Sequence, residues 1–173
     1  MATIEQFLGK RVTIPEDRQY YPRQGLWVKA KNAAVFFGLT EPALVLMGGI
    51  NSIDWLATDG QAIYRGDAVV FAITGKIAYI DTPIEGAIYF NHAVKANPEV
   101  IQEDPYENGW MFKITPHVPL EDAVRSFIDY SDYIESLKGS EGFKNPNGLK
   151  GGVSGICKAV YSGIRDQKIE SKG

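Results

Sequence analysis

A lysine beside a tight hairpin turn is the residue best placed for chemistry in this chain. Lys76 follows Thr74-Gly75, between the apolar runs Ala68-Val-Val-Phe-Ala-Ile73 and Ile77-Ala-Tyr-Ile80. A residue-Gly step between two β-rich runs signals a hairpin. The spacing predicts that Lys76 projects its amine off that turn into solvent. Such an amine is either an acylation site or an ordinary solvated lysine. Gly66 precedes the first run, and Pro83-Ile84-Glu85-Gly86 follows the second.

Other reactive side chains are few. Cys157 is the single cysteine, so no intrachain disulfide can form. It is a possible reactive thiol if exposed and acidified, and an inert one if buried. With only His92 and His117 beside it, a structural zinc site is not expected, and no metal site is assigned. His92 reads as a satisfied edge histidine or as part of a groove. Glu103, Asp104 and Tyr106 are candidates for partner docking, although Asp104-Pro105 is also turn chemistry. Gly151-Gly-Val-Ser-Gly155 lacks the strand-loop-helix setting of a phosphate loop. No carboxylate pair or activated nucleophile stands out, which disfavours a stand-alone enzyme.

Composition narrows the class. The 173 residues are 45% hydrophobic and 12% aromatic, enough for a real core. A formal charge of −3 argues against a nucleic-acid groove. No apolar run reaches the roughly 18 residues of a membrane span, and no secretory signal is visible. The expectation is a cytoplasmic protein.

The elements that must position Lys76 read mostly as strands. Residues 1–19 suggest a short helix plus an arm. Leu26–Ala30 and Ala33–Leu39 form a hairpin around Lys31-Asn32. Thr40 should cap a short helix that has Pro42 in its first turn and stops at Gly48-Gly49. Strands are expected over Ile50–Leu56, Gly86–Asn91 and Gly109–Ile114, with turns at Asp59-Gly60 and Arg65-Gly66-Asp67. Asn97-Pro98 opens a single helical turn. Many short strands punctuated by Gly and Pro imply a small barrel or sandwich. Leu120, Val124, Phe127, Ser131 and Ile134 recur at helical spacing, so one amphipathic helix is predicted over 120–138. Residues 153–164 leave strand and helix both open.

Taken together, residues 20–137 resemble the H-protein of the glycine cleavage system. The matching pieces are Leu26-Trp27-Val28, Ala34-Val-Phe-Phe-Gly-Leu-Thr40, Gly66 ten positions before Lys76, and Pro83-Ile-Glu-Gly86. The most specific piece is Asn97-Pro98-Glu99 leading to Glu103-Asp-Pro-Tyr106 and Gly109-Trp-Met-Phe-Lys-Ile114. The resemblance implies a mainly β (α+β) fold, a biotinyl/lipoyl-type hybrid barrel-sandwich. It divides the chain into an N-terminal arm (1–19), a carrier domain with its C-terminal helix (20–138) and a C-terminal extension (139–173). It implies lipoic acid in amide linkage on Lys76, flanked by Thr74 and Gly75, and a carrier without catalysis of its own. A lipoate ligase or lipoyl transferase would load it, and glycine cleavage enzymes would be its clients. Two departures stand out: Ile73 replaces the glutamate the family has three positions before the lysine, and the return from Lys76 to Gly86 is one residue short. Alternatives are a lipoate-binding protein of a heterodisulfide-reductase-like sulfur oxidation system and an unlipoylated binding scaffold. Neither nucleic acid nor membrane is expected as a partner.

Overall fold

The computed structural model describes residues 1–149. Cys157 and the glycine-rich run at 151–155 lie outside the described residues.

The chain begins with a hairpin, β1 (Ala2–Phe7) and β2 (Lys10–Ile14), paired antiparallel. This corrects the helix expected there. Phe7, Val12 and Ile14 are buried while Glu5, Gln6 and Arg11 are exposed; the register shifts between Ile4 and Phe7, which turns Phe7 inward although Glu5 two positions before it faces out.

Then follow β3 (Gln19–Tyr21), β4 (Leu26–Lys31) and β5 (Ala34–Leu39). The β4–β5 turn at Asn32-Ala33 has positive φ at both residues, +53° and +62°, matching the twist of a two-residue hairpin. Helix α1 (Glu41–Met47) starts as expected: the Thr40 hydroxyl accepts from the Ala43 N–H, and Gly48 ends it in the left-handed region.

Strands β6 (Ser52–Trp55), β7 (Ala62–Ile63), β8 (Ala68–Ile73), β9 (Ile77–Asp81) and β10 (Gly86–Phe90) come next. Two short helices follow, α2 (His92–Ala96), which had no strong local signal, and α3 (Glu99–Glu103). Strand β11 is Phe112–Pro116, so Gly109 to Met111 precede it as loop.

The strands form a six-stranded sheet, β3-β4-β5-β11-β10-β7, and a three-stranded sheet, β6-β8-β9. Their apolar side chains meet in one core that includes Val35, Phe37, Val70, Ile80, Ile88 and Ile114. The architecture is mainly β, consistent with a barrel-sandwich.

The helix predicted over 120–138 is two helices, α4 (Leu120–Ala123) and α5 (Tyr130–Leu137). Between them Ile128 pairs with Tyr20 through both backbone bonds, at 2.8 and 3.1 Å. Helix α5 then restarts from Asp129, whose carboxylate accepts from the Asp132 N–H. A short α6 (Glu141–Lys144) packs against β1 and α1.

A second core joins this C-terminal region to the first hairpin. It holds Phe7, Ile14, Tyr20, Trp27, Tyr106, Tyr133 and Leu137. Tyr20 and Tyr133 stack with centroids 4.6 Å apart.

Candidate functional site: the β8–β9 hairpin

Strands β8 and β9 pair from Ala68↔Asp81 up to Ile73↔Ile77. Three residues, Thr74, Gly75 and Lys76, therefore make the turn. The register shifts between Ala68 and Val70 at the hairpin base, where β8 carries one residue more than β9. Val70, Ala72 and Ile80 still point into the core, so the shortening does not invert the strands.

The turn is tied from inside. The buried Thr74 accepts the Lys76 N–H at 3.2 Å through its hydroxyl and donates to the Lys76 carbonyl at 3.0 Å. The Thr74 N–H reaches the same carbonyl at 2.8 Å. Below it, Asn51 donates its side-chain amide to the Thr74 carbonyl at 3.3 Å and its backbone N–H to the Ile73 carbonyl at 2.8 Å. A Cβ added at Gly75 would meet nothing within 4 Å, and Lys76 is exposed. The amine therefore sits on an anchored support with open space around it, which suits an acyl acceptor.

At its far end the hairpin is held by Gln24, which had no local sequence signal because it lies 57 positions from its partner. Its amide donates to the Asp81 carbonyl at 3.1 Å and accepts the Asp81 N–H at 2.8 Å. The side chain thus mimics one rung of a strand on the free edge of β9.

Phe71, Ile73, Ile77 and Tyr79 share the outer face of the hairpin. Ile77 and Tyr79 are each 60% exposed and Ile73 is 41% exposed. Phe71 and Tyr79 meet edge-to-face. Ile73 thus carries this apolar face up to the turn.

The three docking candidates separate. Glu103 is exposed at the end of α3. Asp104 is half-buried and accepts the Asn108 N–H at 3.0 Å, which is the turn role of an Asx residue. Tyr106 is buried, so its side chain presents no docking surface. Its hydroxyl donates to the Thr13 carbonyl at 2.5 Å and accepts the Glu41 N–H at 2.9 Å. His92 is exposed and paired with Asp59 at 2.8 Å. That bond and the Phe90 N–H hold the Asp59 carboxyl below its usual range, the Phe90 bond contributing most.

Among the described residues no group of His, Cys, Asp and Glu could hold a metal. No described helix is long and apolar enough to cross a membrane.

Comparison with known proteins points to one family. The family model described as glycine cleavage H-protein matches residues 19–140. The chain is 32% identical over 125 residues to the glycine cleavage system H protein of Anaeromyxobacter sp. (strain K), covering 70% of this chain and 96% of that one. It is 31% identical over 137 residues to glycine cleavage system H protein 4 of Aquifex aeolicus (strain VF5), covering 78% of each. A crystal structure of a glycine cleavage system H protein from Mycobacterium marinum superposes with a TM-score of 0.59 at 25% identity, covering 70% of this chain and 97% of that one. On these matches, the chain belongs to the glycine cleavage H-protein family.

Proposed function

We propose that Lys76 is the lipoyl attachment site and that the chain is a carrier in glycine cleavage. It would pass an aminomethyl group between a decarboxylase, an aminomethyltransferase and a lipoamide dehydrogenase. The observation that carries this reading is the exposed Lys76 on a three-residue turn braced by Thr74, in a chain of the H-protein family. Residues 20–138 act as the carrier domain in this reading, with 1–19 and 139–173 as additions, and the chain works in the cytoplasm.

The chemistry divides cleanly. An activated lipoyl group, delivered by a ligase or transferase, forms an amide with the Lys76 amine. The amine gives up a proton and the activating group departs. Once mounted, the dithiolane supplies disulfide exchange and a sulfur on which a group can ride. The chain's own residues supply no catalysis. Thr74 and Asn51 fix where the tether starts, and tethering raises the concentration of the arm at each client.

The relatives quoted above bear glycine cleavage names, so nothing in them favours the sulfur oxidation alternative. Intact mass after incubation with a lipoate ligase, ATP and lipoate tests attachment. A lipoyl adduct on the natural chain and none on Lys76→Arg is expected. An unmodified mass would leave only the scaffold reading. The client is tested separately, by glycine–carbon dioxide exchange with the decarboxylase and the modified chain.

A further inference from the structure

The outer face of the six-stranded sheet carries a feature unrelated to the hairpin. In one register row Lys29 lies opposite Phe36, Phe36 opposite Lys113, and Lys113 opposite Tyr89. Cation and ring alternate across four adjacent strands. The Lys113 ammonium stands 5.5 Å from the Phe36 centroid and 6.0 Å from that of Tyr89. Trp110 meets Phe36 edge-to-face at 5.0 Å. Beside the row is a cleft of about 220 Å³, with Lys29, Lys31, Phe36, Trp110 and the Arg18-paired Glu107 on its walls and Arg18 beneath them.

Arg18 is nearly inaccessible, with 2% of its side chain exposed. It lies 4.8 Å from the Trp27 ring and donates to the Tyr106 carbonyl at 2.7 Å. The carboxylates facing this region are Asp17 and Glu107. Asp17 is engaged by Arg18 at 2.9 Å and Lys29 at 3.0 Å, and Glu107 by Arg18 at 3.3 Å. Lys31 and Lys113 form no ion pair among the described residues. The face is therefore locally cationic on a chain whose net charge is −3.

We propose that this row and its cleft dock an acidic segment of a partner protein, one with an aromatic side chain among its carboxylates. The carboxylates meet Lys31 and Lys113, and the aromatic group enters the cleft against Trp110 and Phe36. Charge complementarity selects such a segment, and the rings give it a place to bury a side chain. A single-stranded nucleic acid fits less well. The row spans only about 15 Å, three strand spacings, too short a track for the run of phosphates that such a strand would lay along it.

The test uses the isotope-labelled full chain and a synthetic acetylated peptide with four glutamates around one tryptophan. The expected result is a cluster of amide shifts at Lys31, Phe36, Tyr89 and Lys113, together with the Trp110 indole. Lys31→Glu should weaken binding at least tenfold, and Phe36→Leu at least threefold. Lys31 is exposed at the strand end, so its variant keeps the test open should Phe36→Leu disturb the sheet. Lys76→Arg should change nothing, which separates this surface from the carrier reading. The proposal is overturned if no shifts appear at millimolar peptide, or if a glutamine-substituted peptide binds equally. It also falls if the shifts map elsewhere, or if a single-stranded oligonucleotide binds the row more tightly than the peptide.

Discussion

The Thr74 hydroxyl holds both backbone polar groups of Lys76, receiving the N–H and donating to the carbonyl. One buried oxygen thus fixes the residue that carries the amine. Thr74→Val keeps the shape and removes the bonds. Leaving that N–H and carbonyl without this partner should cost about 1–2 kcal/mol, read by urea denaturation. The tip should also wander, and a misplaced acceptor reacts more slowly; lipoylation followed by mass should slow by roughly threefold to tenfold. A variant as unstable as expected but modified at the normal rate would separate the Thr74 bonds from acceptor placement.

Tyr106 fastens two elements together from inside the core. Its buried hydroxyl bridges the Thr13 carbonyl and the Glu41 N–H, while Glu41 in turn accepts the Thr13 N–H at 2.8 Å. The N-terminal hairpin is thereby fastened to the start of α1. Burial also pushes the Tyr106 hydroxyl's ionisation far above its usual range, keeping it a donor. Tyr106→Phe leaves two backbone groups short of a partner and should lose about 1–3 kcal/mol. Hydrogen exchange should quicken at Glu41 and along β1–β2. Unchanged exchange there would refute the fastening role.

Much of this was legible locally. The Asn32 turn, the Thr40 cap, the Gly48 stop and the hairpin at Lys76 each rest on a few adjacent residues with a defined backbone preference. What was not legible depends on distant partners. The 3.6-residue period over 120–134 hid a break, because Ile128 gives its backbone to Tyr20, more than a hundred positions away. The sole local sign was Asp129, a good cap in mid-pattern. Residues 1–19 look polar because the hairpin buries only Phe7, Val12, Ile14 and a few neighbours against a helix from the other end of the domain. Asn51 and Gln24, which brace the candidate site, are common polar residues with no motif. The irregularity at Ala68–Val70 had no cue at all.

The return motif ends at Gly86 for a steric reason. Its φ is +151°, and a Cβ there would lie 2.2 Å from the Thr115 carbonyl oxygen and 2.9 Å from the Pro116 Cα. Both are backbone atoms of a central strand, so neither can turn aside. Gly86↔Pro116 opens the β10–β11 pairing, and this close approach sits where the chain crosses from one sheet to the other. Gly86→Ala should therefore destabilise by roughly 3 kcal/mol or more, beyond the usual cost of a point change. Urea denaturation checks it. A loss under about 1 kcal/mol would mean the strands can separate without penalty.

Acid should reveal the Arg18 cluster. The hydrogen bond from Arg18 Nε is the main reason the Asp17 carboxyl falls from 3.8 to about 2, with Lys29 helping and partial burial opposing. A carboxyl with a depressed folded value gives its full stabilisation above the unfolded value. That stabilisation is lost as pH falls from about 4 toward 2, where folded Asp17 also takes up its proton. Asp17 is 57% exposed, so solvent limits the effect to about 1 kcal/mol or less. Asp17→Asn should lower stability at pH 7 by that amount and flatten the decline between pH 4 and 2. Urea midpoints measured across that range for both proteins decide it: parallel curves would show that Asp17 contributes nothing, and a steeper fall in the variant would reverse the assigned sign.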